Sequence, residues 1–342
     1  MSAKKIIIFR FSAMGDVAMV ASVLRELKEQ NPNVHLVMVS RMPFEPFFSG
    51  IDNLSFHPIK PKQEHKGFAG LYRLYKELKQ YQADAVADLH DNIRSRLLSL
   101  FFRLSGTKIR RIDKGRSEKK ALTRPNNKIL KPLKTTVERY ADTFRSLDLS
   151  LKLTHQLTKQ NPPLPEKAKS FFNDTTIKKI GVAPFAQHIY KMYPAAKMET
   201  VIQLLTDKGY QVFIFGGGEQ EFEIAQKWKK ENPLLINTIN QFKLKEELEI
   251  IAHLDLMLSM DSSGMHMASL MGTPVVSVWG PTHPFAGFLG YGQSLEDCIQ
   301  IDHPNRPNSI YGNKPCLCGV EECIALIEPE TIVKKIREKL NG

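Results

Sequence analysis

The chain has 342 residues, 42% of them hydrophobic and 25% charged, the balance of a folded protein with about two domains at roughly 150 residues each. This excludes a disordered chain, a fibrous repeat and a small disulfide-stapled scaffold. Lys and Arg number 48 against 36 Asp and Glu, a formal charge of +12, so an anionic partner is expected: nucleic acid, a membrane surface or a phosphorylated small molecule.

No run approaches the roughly 18 consecutive apolar residues that a membrane-spanning helix needs. The opening MSAKKIIIFRFSAMGD carries two lysines and only four apolar residues before Arg10, too short for a secretory core. It reads as a first β-strand over 5–9, and the chain is expected to stay in the cytoplasm. Apolar residues at helical spacing predict a helix over 17–30, ended by Asn31-Pro32-Asn33. A strand over 34–39, a helix over 70–81, a strand over 84–88 and a helix over 92–104 follow. Such a series argues for a parallel sheet with helices on both faces. From Arg103 to Arg139, thirteen basic residues stand against Asp113, Glu118 and Glu138, which reads as a basic, partly loop-like segment before a helix over 137–148.

Residues 158–166 are polar and carry three prolines, the composition of a stiff connector. The strand–helix rhythm then restarts: a strand in KKIGVAP, a helix over 195–208, a strand in YQVFIFGG, a helix over 219–231 and a short strand in LLINTI. A helix over 243–253, a strand in DLMLSM, a helix over 262–271, a strand in TPVVSVWG and a last helix over 329–340 complete it. Two nucleotide-fold domains in tandem are expected.

Ligands of open α/β sheets bind beyond the carboxyl ends of the strands, so the chemistry is sought in those loops. After the first strand comes Ser12-Ala13-Met14-Gly15-Asp16. It has one glycine where a dinucleotide fingerprint needs three, so dinucleotide binding is not expected there. Asp16 is either a helix cap or a general base for a substrate hydroxyl. Asp261-Ser262-Ser263-Gly264 opens the helix that contains His266. This is either an ordinary capped junction or a set of free N–H groups for a phosphate, with Asp261 facing a hydroxyl or backbone donor. Lys191 is a surface lysine or a point charge on a phosphate. In Gly216-Gly217-Gly218-Glu219-Gln220-Glu221 the glycines allow close approach, and a carboxylate just beyond suits sugar hydroxyls; a plain turn is the alternative. Together these loops suit a nucleoside diphosphate carrying a hydroxyl-rich group. His90-Asp91-Asn92 reads as a loop at a strand end rather than a metal site.

The four cysteines agree with a reducing compartment. Cys316, Cys318 and Cys323 lie within eight residues, but C-x-C is tighter than the usual zinc spacing, and no structural metal is expected.

Two stretches, RFSAMGDVAMVASVLRELKEQNP at 10–32 and MDSSGMHMASLMGTPVVSVWGPTHP at 260–284, resemble in sequence, order and separation the paired motifs of glycosyltransferase family 9, which includes the lipopolysaccharide heptosyltransferases. The resemblance implies an α/β fold of GT-B type: two Rossmann-like domains with parallel sheets facing a central cleft. Residues 1–160 would bind the acceptor, 161–328 the nucleotide sugar, and a helix over 329–342 would pack back on the first domain. It implies an inverting enzyme that takes ADP-heptose as substrate and uses no metal or other cofactor. Asp16 would be the catalytic base and Lys191 a phosphate ligand. Asp261, Ser262, Ser263, Gly264 and His266 would form the donor motif, with Glu219 or Glu221 on the ribose. Some members carry hydroxyl residues before the lysine where this chain has Ala186 and Gln187, so the hydroxyl contacts to phosphate are not expected there, and Gln187 would be a donor-site residue. On the acceptor side, Ser12, Gly15, Arg94, Arg96, Lys119 and Lys120 would meet an anionic glycolipid at the inner membrane surface. Nucleic acid is not expected as a partner, because no aromatic-basic RNA signature is present. The competing expectations are a transferase for another sugar, a sugar-nucleotide epimerase, and a non-catalytic nucleotide- or RNA-binding protein.

Overall fold

The computed structural model describes residues 4–341, which divide into two compact units. The first runs to Lys114 and adds Thr136–Thr154; the second takes Gly115–Thr135 and everything from His155 onward.

The first unit is a parallel sheet of β1 (Lys5–Phe9), β2 (His35–Ser40), β3 (Leu54–Pro58), β4 (Ala85–Asp88) and β5 (Lys108–Arg111), in the order β3-β2-β1-β4-β5. Central β1 is a continuous apolar run because both of its faces are covered; Ile6 to Phe9 are fully buried. Helices α1 (Met14–Gln30), α2 (Gly67–Lys79) and α3 (Ile93–Leu104) connect the strands. Ile7, Phe9, Val37, Val39 and Val86 of the sheet meet Leu74, Leu78, Leu98 and Phe102 of α2 and α3 in one core. Each such side chain contributes about 1.5–3 kcal/mol by burial.

The edges escaped the sequence reading. In β3, LSFHP is only half-buried along its length, and β5, KIRR, is mostly exposed. Edge strands of this kind have one solvated face and carry charge, which removes the apolar run that identifies a buried strand.

Gly115–Thr135 holds α4 (Arg116–Thr123), and α5 (Thr136–Arg145) returns to the first unit. Expected with the acceptor domain, the basic segment instead packs on the second unit. Leu122 and Leu133 cluster with Ala286, and the Leu133 N–H donates to the Phe285 carbonyl at 2.9 Å. A few apolar residues among thirteen cations leave no local pattern that names so distant a partner.

The second unit is a six-stranded parallel sheet. Its strands are β6 (Lys179–Ala183), β7 (Gln211–Ile214), β8 (Leu235–Asn237), β9 (Leu256–Met260), β10 (Val275–Val278) and β11 (Cys298–Ile299), in the order β11-β10-β9-β6-β7-β8. Helices α6 (Ala195–Thr206), α7 (Glu219–Lys230), α8 (Leu244–Ala252) and α9 (Ser263–Met271) alternate with them, and a hairpin of β12 (Leu317–Cys318) and β13 (Glu321–Glu322) precedes α10 (Pro329–Asn341). Helix α10 buries Ile332, Val333 and Ile336 in the same core as Val201 and Leu205 of α6. Its apolar face is thus used on the second unit, where the resemblance implied the first. Cys318 and Cys323, expected as thiols, are joined by a disulfide, and Cys298 and Cys316 are free.

Candidate functional site

Both sheets reverse their strand order once: between β1 and β4 in the first unit and between β6 and β9 in the second. At such a switch point the two connections leave in opposite directions and open a crevice beyond the strand ends. Asp16 follows β1 in the first unit, and Lys191 and Asp261 follow β6 and β9 in the second.

In the first unit, the loop after β1 is fastened from both sides. Ser40 donates its hydroxyl proton to the Arg10 carbonyl at 2.7 Å, and Arg41 donates to the Phe11 carbonyl at 3.1 Å. From β4, His90 Nδ1 accepts the Phe11 N–H at 3.1 Å, its ring stacked on Phe11 with centroids 5.2 Å apart. Burial, reinforced by Arg10 and Lys114, lowers the His90 pKa to about 3, so the ring is a neutral acceptor at ordinary pH. Asp16, in the first turn of α1, accepts the Ala13 N–H at 3.3 Å and forms an ion pair with Arg10, while 24% of its side chain stays exposed. The cap and the reactive carboxylate are therefore compatible. The oxygen that caps is also the one Arg10 holds, and the group remains reachable.

Arg10 and the strand-end acids were not singled out by sequence. Arg10 donates to the Leu89 carbonyl at 2.9 Å, and Asp88 holds Arg111 at 3.1 Å. Asp91 holds Arg96 at 2.7 Å and faces Arg111 at 3.5 Å. Of the expected acceptor residues, Ser12, Gly15, Arg94 and Arg96 share this unit with Asp16. Arg94 and Arg96 lie on the exposed side of the start of α3. Lys119 and Lys120 belong to the second unit instead. Lys120 is exposed, whereas Lys119 is buried with its ammonium 4.2 Å from the Phe288 ring.

In the second unit, Lys191 follows β6 and Asp261 follows β9. Their Nζ and Oδ2 lie 2.9 Å apart, with side chains only 15% and 7% exposed. A largely desolvated pair of this kind holds the ammonium in one place. Gly312 makes room for it: a Cβ there would come within 2.2 Å of Lys191 Cγ. Ser262 occupies the N-cap position of α9 without a side-chain capping bond, and Gly264 lets that helix approach β6, since an added Cβ would sit 2.4 Å from Ala183 Cβ. Gly264 is thus a packing residue that brings the N–H end of α9 up to the switch point. His266 is buried one turn further on.

At the end of β7 the two glutamates separate. Glu221 Oε2 accepts the Gly217 N–H at 2.7 Å, and burial raises its pKa. Glu219 is exposed at the start of α7, and Gln187 is also exposed. Gly312, far along the chain in an irregular loop, carried no signal the sequence reading could use.

The family described as Glycosyltransferase family 9 (heptosyltransferase) matches residues 71–311. Lipooligosaccharide heptosyltransferase 2 of Haemophilus influenzae is 26% identical over 98% of this chain and 99% of its own length. The lipopolysaccharide core heptosyltransferase OpsX of the same organism is 25% identical over 82% and 80%. Among solved structures, the family 9 glycosyltransferase of Veillonella parvula aligns with a TM-score of 0.75 at 20% identity, covering 100% of this chain and 98% of that one. The E. coli ADP-heptose lps heptosyltransferase II aligns at 0.69 and 19%, covering 99% and 98%. At such identities these structures speak for the fold, which is GT-B. With the family match spanning most of its length, the chain belongs to glycosyltransferase family 9, the heptosyltransferases.

Proposed function

We propose that this glycosyltransferase moves a heptose from ADP-heptose onto a hydroxyl of a lipopolysaccharide core acceptor, inverting the anomeric centre. The relatives named above support the substrate class. The observation that carries the reading is the buried Lys191–Asp261 pair at the switch point of the second sheet, a fixed cation where a nucleotide diphosphate would lie. The first unit takes the acceptor and the second the donor.

In this reading Asp16 accepts the proton of the attacking hydroxyl as the C–O bond to the anomeric carbon forms. The bond to the diphosphate breaks on the opposite face. Lys191 and the N–H groups of Ser263 and Gly264 meet the charge that grows on the leaving ADP, a preorganised electrostatic contribution that needs no metal ion. Glu221, rather than Glu219, holds the ribose, because its carboxylate is drawn toward the strand end. Ser12, Arg94 and Arg96 meet acceptor phosphates and acidic sugars.

The enzyme works at the inner face of a membrane without spanning it; among the described residues no helix is long and apolar enough to cross one. The support is an exposed apolar patch on α2 and α3. Phe68, Tyr72, Leu100 and Leu104 are all exposed, and Phe68 and Tyr72 stand edge-on to Phe101 at 5.5 and 5.6 Å. Arg73, Lys76 and Arg103 surround them. Apolar residues rimmed by cations suit an anionic lipid surface.

Thermal-shift titration tests the donor. ADP and ADP-heptose should raise the melting temperature while UDP-sugars leave it unchanged, and heptose should appear on a core acceptor when both substrates are present. Rearrangement of the nucleotide sugar without acceptor, or stabilisation by UDP alone, defeats the reading. Vesicles of anionic phospholipid should retain the protein at low salt and lose it after Phe68→Ser with Leu104→Ser.

A further inference from the structure

Three of the four cysteines converge with a histidine in the loop between β11 and α10. Ligand atoms of His303, Cys318 and Cys323 lie within 4.8 Å of one another, and Cys316 Sγ lies 3.7 Å from Cys323 Sγ. Cys316 and Cys323 are buried; Cys318 and His303 are half-buried. The backbone builds this convergence. The β12–β13 hairpin turns through Gly319 at φ 82°, the Cys323 N–H donates to the Cys316 carbonyl at 2.8 Å, and the Asn305 side chain donates to the Leu317 carbonyl at 2.7 Å. The Asn305 N–H donates to His303 Nδ1 at 3.2 Å, which orients the ring.

The electrostatics of the loop supply an independent observation. Arg306 is 3% exposed. Its guanidinium donates to the carbonyls of Gly280, Ile301 and Thr282 and to the Gln300 amide oxygen. Among the described residues no carboxylate pairs with it. A buried cation whose direct hydrogen-bond partners are all neutral is poorly compensated. Cys316 and, after it, the exposed Asp302 are the groups whose negative field acts on Arg306. Lys128 lies close enough to Cys316 to act on it as well.

We propose that in the reduced protein Cys316, Cys318, Cys323 and His303 bind one zinc ion as a structural site. Zinc–sulfur bonds of about 2.3 Å in a tetrahedron place sulfurs about 3.8 Å apart, close to the Cys316–Cys323 separation. Three thiolates and a neutral imidazole on a divalent ion leave one net negative charge near Arg306, whose direct partners are all neutral. The disulfide is the oxidised alternative of the same residues. A dithiol reductant delivers two electrons and two protons, the Cys318–Cys323 bond breaks, two thiols form and the reductant becomes a disulfide. Metal binding then releases the three thiol protons. His303 and Cys316 bracket Gly312, which makes room for Lys191, so the ion would fix the loop beneath that lysine. It takes no part in the transfer, and the proposal does not rest on which sugar is moved.

Cobalt(II) is the probe. Full-length protein kept under a dithiol reductant should bind one cobalt per chain with a thiolate-to-cobalt charge-transfer band, and zinc should displace it. Cys316→Ser, Cys318→Ser and His303→Ala should each weaken uptake by at least about tenfold, while Cys298→Ser leaves it unchanged. Thiols counted in denaturant fix the redox state: four in the reduced chain, two when the disulfide is closed. A reduced chain with four thiols that takes up no cobalt overturns the proposal, as does unchanged binding in the Cys316 and Cys318 variants. Should a variant not fold, uptake and band of the wild-type chain decide.

Discussion

In the proposed mechanism Asp16 combines a structural and a chemical task in one carboxylate, and the two can be separated. Asn at this position can still accept the Ala13 N–H, but it carries no charge for Arg10 and cannot take a proton at neutral pH. Asp16→Asn should lower turnover by about 10²–10⁴ and leave the ADP dissociation constant within about twofold, measured by calorimetry beside an activity assay. Turnover near wild type would remove Asp16 from the chemistry. Lys191 poses the converse problem. Lys191→Met leaves Asp261 buried without its cation, at a cost of about 3–5 kcal/mol, and removes the phosphate contact. Adding Asp261→Asn should recover most of the lost stability and none of the lost ADP affinity. If affinity returns with stability, the lysine's role was to balance the aspartate.

The elements present these groups by close approach. Helix α9 reaches β6 only because Gly264 has no side chain, the added carbon meeting Ala183 at 2.4 Å. Gly264→Ala should push the start of α9 off the sheet, lowering stability by about 1–3 kcal/mol and weakening ADP binding as Ser262 and Asp261 move with it. Gly217 has open space around it and keeps its N–H for Glu221 when changed. Gly217→Ala is therefore the control and should unfold at the same denaturant concentration as the parent. An equal loss in both would mean that the close approach of Gly264 to β6 is not the cause.

Across the whole molecule, two buried titrating groups oppose each other. The His90 pKa falls from 6.5 to about 3 in the folded chain. Between these values the unfolded chain holds a proton that the folded chain lacks, so His90 contributes stability above about pH 6.5 that is lost as pH falls toward 3. The Glu247 pKa is raised by burial from 4.5 to about 7. Here the folded chain holds the extra proton, and stability falls as pH rises through that window. Between about pH 4.5 and 6.5 the slopes of His90 and Glu247, each about 1.4 kcal/mol per unit at most, oppose each other, and His283, lowered by burial from 6.5 to about 4, adds to the His90 side. Relative to the parent, Glu247→Gln should make stability climb more steeply with pH, and His90→Asn less steeply. Parallel melting curves for both variants against pH would contradict this assignment.

What the amino-acid order determined alone is what short-range physics can carry. Central β1, β6 and β9 are apolar because they are covered on both faces, α1 and α9 follow them at helical period, and Asp16, Lys191 and Asp261 stand just past the strand ends. These features fall within a few residues of each other, so spacing reveals them. The edge strands β3 and β5, the seating of Gly115–Thr135 and of α10 on the second unit, and the room Gly312 makes for Lys191 join residues tens to over a hundred positions apart. Nothing local distinguishes Leu133 from any leucine in a basic loop until the 285–288 turn lies against it. Glu219 and Glu221 part in the same way: both open α7, and only the packed loop after β7 shows that Glu221 is the carboxylate its backbone draws in.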